Sequence, residues 1–106
     1  MNGIDLLKVK MNREVKYYVY ILTDKRNRWF KAGISCDLKK KLDKKNSGFF
    51  SRYLKRSPAK LVYYEAFYDP YYAEVRNKKI KSISRLRKIE LIQCMNREWR
   101  DLSEEL

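Results

Sequence analysis

The chain has 106 residues, enough for one domain with one modest core. Hydrophobic residues at 44% and aromatics at 14% argue against a disordered chain, and no apolar run approaches the ~20 residues of a membrane span. Lys and Arg number 26 against 13 Asp and Glu, and the resulting net charge of +13 favours a polyanionic partner, because basic side chains displace counterions from phosphates.

Residues 1–16 read as an N-terminal extension, with Ile4, Leu6 and Leu7 as apolar residues and no continuous apolar stretch of a secretory leader. Residues 17–106 read as a single domain, since no repeat and no Pro/Gly/Ser linker divides them. Cys36 and Cys94 share no ligand spacing, and there is no histidine to complete a zinc site. Free thiols in a reducing cytoplasm are the expectation.

Tyr17 to Thr23 is dense in aromatic and β-branched residues and reads as a strand. Tyr18, Tyr20 and Leu22 face one way, and Tyr17, Val19 and Ile21 the other. A strand apolar on both sides is expected in the middle of its sheet. Asp24 to Arg28 has the composition of a hairpin turn, and Trp29 to Ile34 reads as the second strand. A helix is expected from Leu38 to Lys45, capped by Ser35 or Asp37. Leu38 and Leu42 give it an apolar stripe, and Lys39, Lys40, Lys41, Lys44 and Lys45 form the rest of its surface. Asn46-Ser47-Gly48 ends it.

Phe49 to Arg56 interleaves aromatics with Arg52, Lys55 and Arg56. Phe49, Phe50 and Tyr53 suit base stacking, with core packing the competing use of the two phenylalanines. After the Ser57-Pro58 break, Lys60 to Phe67 reads as a third strand. Asp69-Pro70 opens a helix to Lys81, with Ala73, Arg76, Ile80 and Ile83 on one stripe and Tyr72, Val75 and Lys79 on another. Ser84 caps a further helix to Met95, with Leu86, Ile89 and Ile92 expected inward. Trp99 and Leu102 are expected to fold back on the core.

The order β-β-α-β-α-α, an α/β chain of the α+β kind, carries several distinctive stretches. They are Tyr18-Val19-Tyr20, Lys31-Ala32-Gly33, the Gly-x-Ser-x-Asp-Leu-x-x-Lys-Leu run from Gly33 to Leu42, KLVYYEAF, and the ending CMNREWRDLSEEL. Together they resemble the small stand-alone domains of the GIY-YIG nuclease family over roughly Lys16 to Leu106. The resemblance implies a three-stranded antiparallel sheet flanked by helices. It also implies phosphodiester hydrolysis assisted by Mg²⁺ or Mn²⁺, with two tyrosines, an arginine and a metal-holding glutamate.

Carried onto this chain, the tyrosine closing the first motif is Tyr20, with Tyr18 close by on the same strand face. The tyrosine of the second motif falls on Lys31. The arginine falls on Lys41, which keeps the charge and loses the planar fork. The glutamate falls on Asn77, preceded by Arg76, and an amide is a much poorer ligand for Mg²⁺ than a carboxylate. Gly33 is kept, Ser35 retains a hydroxyl, and Asn96 matches a polar position near the family's end. Glu74, one turn before Asn77, and Glu65 on the third strand are substitute carboxylates for a metal. Glu74 also fits an i,i+4 pair with Lys78.

The basic residues expected to meet nucleic acid are Lys39, Lys40, Lys44, Lys45, Arg52, Lys55, Arg56 and Arg76, joined by the Ser35 hydroxyl and by Lys78, Lys79 and Lys81. The implied fold turns the first helix and the helix of Asn77 toward one cleft; the alternative is a set of solvated faces that never converge. Three functions follow. The first is a nucleic-acid-binding domain, with DNA the expected partner, whose cleavage is impaired or lost. The second is an active endonuclease that uses Glu74 or Glu65 for its metal. The third is a protein-interaction module whose charge serves solubility. The expected state is a monomer or a weak dimer without membrane contact.

Overall fold

The structure is a computed structural model and describes residues 15–45 and 59–106. Arg52, Lys55, Arg56 and the aromatic side chains at 49, 50 and 53 lie outside the described residues, as do residues 1–14 of the extension. Strands β1 (Tyr17–Thr23), β2 (Phe30–Ser35) and β3 (Lys60–Phe67) are followed or separated by helices α1 (Leu38–Lys45), α2 (Pro70–Ser82) and α3 (Arg85–Met95). A 3-10 turn, Leu102–Glu105, closes the chain. The expected α+β order is the observed one.

The sheet runs β2-β1-β3, and both pairings are antiparallel. The strand apolar on both sides is therefore the central one. Alternation sends its side chains into two cores, one on each face of the sheet. Val19 and Ile21 join Val62, Tyr63, Ala73, Ile80 and Ile92 on the first face. Tyr20 and Leu22 join Leu38, Leu42, Ala59, Leu61 and Leu102 on the second. Helix α2 thus covers one face through Ala73 and Ile80, and α1 covers the other through Leu38 and Leu42.

Local chemistry sets the ends of these elements. In the hairpin turn the Asn27 amide donates to the Asp24 carbonyl at 3.0 Å, with Asn27 in the left-handed region at φ 57°. Asn tolerates that conformation better than most residues. The Asp24 side chain accepts from the Arg28 amide at 2.7 Å and from its Nε at 2.6 Å. Burial pushes the Asp24 carboxyl up, but these bonds to Arg28 outweigh it and hold the group below its ordinary value. Asp37 caps α1 through the Lys40 amide, Asp69 caps α2 through the Tyr71 amide, and Ser84 caps α3 through the Arg87 amide.

Two features differ from the expectations. Strand β2 starts at Phe30 rather than Trp29 and extends through Ser35. Leu86, expected inward, stands in the first turn of α3 and is 65% exposed, while Ile92 is buried and Leu91 packs at its side. The inward stripe of α3 lies nearer its C-terminal half, where β3 runs beneath it.

The pairing of β1 with β3 slips between Ile21 and Leu22, so that Val62 is the additional residue on β3. The Val62 carbonyl accepts from Asn96 Nδ2 at 3.2 Å. The tail then wraps the β3 side of the sheet. Trp99 stacks on Phe30 at 5.7 Å on the first face, and Leu102 is buried in the second core.

Candidate functional site

The two sequence triplets are cross-strand neighbours. Tyr18 pairs with Ser35, Tyr20 with Gly33, and Leu22 with Lys31. Directly paired residues share a face, so Tyr18, Tyr20, Lys31 and Ser35 belong to the second face of the sheet. The Tyr20 ring lies on Gly33: a Cβ there would run into the Tyr20 hydroxyl and the ring carbon bearing it. Gly33 has no positive φ, so the position needs glycine for space and not for backbone freedom.

Helix α1 starts three residues after β2 and folds over this face, held by Leu38 and Leu42. It brings Lys41 Nζ to 5.3 Å from the centre of the Tyr20 ring, a cation–π contact. Tyr20 is buried beneath Lys41, which is exposed, as are Lys39 and Lys40 on the same helix and Lys31 on the paired strand. Lys44 and Lys45 continue the helix to its end. The arrangement is a buried phenol ring beneath the Lys41 ammonium, with Lys31 on the same sheet face; ammonium groups of this kind suit an anion and donate hydrogen bonds to its oxygens.

The sequence did not point to Tyr64. It pairs with Tyr20 across β1 and β3, and its ring meets Tyr18 edge-on at 5.9 Å. Its hydroxyl donates to Glu105 Oε1 at 3.4 Å. Burial first, and then the neighbouring Glu105 carboxylate, raise the Tyr64 phenol above its ordinary range. KLVYYEAF contains two adjacent tyrosines, and strand alternation put one of them on each face; knowing which needed the bulge.

Asn77 stands elsewhere. It is on α2, behind the opposite face of the sheet, and only 8% exposed. Its Oδ1 is buried without a hydrogen-bond partner. It lines an open pocket of about 610 Å³ with Tyr17, Ile34, Ser35, Glu74, Lys78 and Lys81. Ser35, at the end of β2, is the link between this pocket and the tyrosine face. The sheet lies between α1 and α2, so their lysine rows flank it on opposite sides and do not line a single cleft along its length.

Both substitute carboxylates are occupied. Glu65 Oε2 accepts from Arg76 Nε at 2.7 Å and from the Tyr63 hydroxyl at 2.5 Å. Burial first, and then the hydrogen bond to Glu65, push the Tyr63 phenol up to about 12. The bond to Glu65 likewise raises Arg76. Glu74 pairs with Lys78 at 3.5 Å in the expected i,i+4 manner, an exposed contact of small energy. Among the described residues no group of His, Cys, Asp or Glu is arranged to hold a metal ion. Among the described residues, therefore, no cluster of carboxylates fits a divalent cation: residue 77 is a neutral amide, and Glu65 is engaged by Arg76. Asn96 is structural, donating to the Val62 and Arg100 carbonyls and accepting from the Arg100 amide. Cys36 and Cys94 are free thiols. No helix among the described residues is long and apolar enough to cross a membrane.

Two relatives match the chain along most of its length. It is 37% identical over 78 residues to a UPF0213 protein of Staphylococcus saprophyticus, covering 73% of this chain and 94% of the relative. It is 37% identical over 76 residues to a UPF0213 protein of Clostridium perfringens, covering 71% of this chain and 81% of that relative. No family model and no solved structure matches the chain.

Proposed function

The chain belongs to the UPF0213 family, and we propose that it acts as a nucleic-acid-binding domain of the GIY-YIG kind whose phosphodiester cleavage is impaired or lost. The observation that carries this reading is the seating of Tyr20 on Gly33 beneath Lys41. It joins both triplets and the first helix at one anion-binding face. The net charge of +13 supports a polyanion as the ligand, and DNA is the partner we assign.

In this reading Lys31 and Lys41 attract and hold a backbone phosphate, and the buried Tyr20 ring supports the Lys41 ammonium from below. Lysines act as point charges, so the phosphate is bound without the two-point grip that an arginine would impose. Cleavage requires that charge on the phosphoryl oxygens and on the leaving oxygen be stabilised as it develops. Asn77, at the position of the family's glutamate, is neutral and stands behind the opposite face of the sheet, so it supplies no charge for that work. Binding persists and turnover does not.

Plasmid nicking with Mg²⁺ or Mn²⁺ tests the reading. The parent chain is expected to leave supercoiled plasmid intact while retarding it in a gel. Nicking by the parent that Tyr20→Phe abolishes would overturn the proposal. Equal retardation by the parent and by Lys31→Ala/Lys41→Ala would overturn the assignment of the binding face.

A further inference from the structure

The side of α2 turned away from the sheet is unusually aromatic. Tyr68, just before the helix, is 55% exposed, and Tyr71 and Tyr72 in its first turn are 66% and 61% exposed. Val75, one turn on, is 49% exposed. The Tyr71 and Tyr72 rings meet edge-on at 5.5 Å. Rings kept in water on one stretch of surface mark an interaction site more often than scattered apolar residues do. The next turns of the same helix present Lys78, Lys79 and Lys81, all exposed. Arg76 is not among them in effect, because Glu65 engages it.

The flank of this surface is the Asn77 pocket. Tyr17 forms one wall, and Lys78 and Lys81 stand among its lining residues. The buried amide oxygen of Asn77 has no hydrogen-bond partner, and a group of that kind in a native fold requires an explanation. An amide both donates and accepts, which is the chemistry of a nucleobase edge. Ammonium groups beside it provide the chemistry of a phosphate.

We propose that α2 is the platform for an unpaired nucleic-acid strand. Bases stack on Tyr71 and Tyr72, one base enters the pocket at Asn77, and Lys78 and Lys81 hold the adjoining phosphates. A duplex hides the faces of its bases, so exposed rings gain little from it, whereas every unpaired base offers a face for stacking. A second copy of the chain is a poor occupant, since two molecules each carrying +13 repel. The inference deepens the proposed function and rests on it: it names the form of nucleic acid and adds a second surface, on the side of the sheet away from Tyr20.

Fluorescence anisotropy on the full chain tests it, using labelled oligothymidylate of roughly 12 nucleotides, within the usual site sizes of single-strand binders, and a duplex of equal length. The single strand is expected to bind more tightly than the duplex. The double variant Tyr71→Ala/Tyr72→Ala, altered only at exposed positions, is expected to weaken single-strand binding roughly thirtyfold or more and leave duplex binding unchanged. Asn77→Leu removes the unpartnered amide, so it is expected to hold or raise the melting temperature while weakening the single-strand complex. Tighter binding of the duplex, or parental single-strand affinity in the tyrosine double variant, would overturn the inference. If Lys31→Ala/Lys41→Ala still impairs duplex binding in that case, the nucleic-acid reading stands and only the α2 platform falls. If neither oligonucleotide binds, both fall.

Discussion

Gly33 is where an absent side chain matters most. The Tyr20 ring occupies the volume that a Cβ at this position would need, in a face that is otherwise closely packed. Gly33→Ala is expected to cost about 1–3 kcal/mol, as overpacking usually does, measured by chemical denaturation. In a Tyr20→Val background the same change is expected to cost less, because the ring it collides with is gone; equal cost in both backgrounds would refute the contact. The sequence spacing showed that Tyr20 and Gly33 belong to neighbouring strands, and the register supplies the reason one must be small when the other is large. Asn77 was less legible. The helical stripe from Ala73 to Ile80 admits either residue 76 or residue 77 between them. Glu65 on β3 draws Arg76 partly outward, and residue 77 turns in. No local pattern announces a partner that comes from another strand.

Among the elements, β3 holds the feature that sequence reading is least able to find. Its bulge at Val62 changes which of the later residues face which core, and nothing in KLVYYEAF marks an additional residue. One result is the cluster of Tyr63, Glu65 and Arg76 on a single face. The cluster makes stability depend on alkaline pH. The Tyr63 phenol is raised to about 12 in the fold, against about 10 in an unfolded chain. The folded state therefore holds its proton more tightly, and its stabilising effect is complete below pH ~10 and is lost as pH rises toward ~12. Denaturation midpoints measured across that window are expected to fall more steeply for the parent than for Tyr63→Phe. Parallel slopes would show that the phenol titrates in the fold as it does in the unfolded chain. The caps are more legible: Asp69 and Ser84 follow directly from sequence, and of the two candidates Ser35 and Asp37 it is Asp37 that accepts from a first-turn amide of α1.

At the scale of the molecule, the proposed division into an extension and a domain of residues 17–106 has a direct test. Val15 and Lys16 are exposed, and neither core contains them. The chain shortened to residues 17–106 is expected to melt within ~2 °C of the full chain, since the described residues that join the extension to the domain pack into neither core. A loss of cooperative melting would show that the extension belongs to the fold. The opposite end behaves differently. Asn96 ties to Val62, Asp101 Oδ1 accepts from the Leu61 amide at 3.2 Å, and Trp99 and Leu102 enter the cores on the two faces. The last residues thus straddle β3 and occupy a hydrogen-bonding group on its outer edge. Such an edge, left bare, is a template on which another chain can add a strand. A cut by a protease just before Trp99 would do two things at once: open both hydrophobic layers to water and uncover the margin along which fibrils and swapped dimers grow.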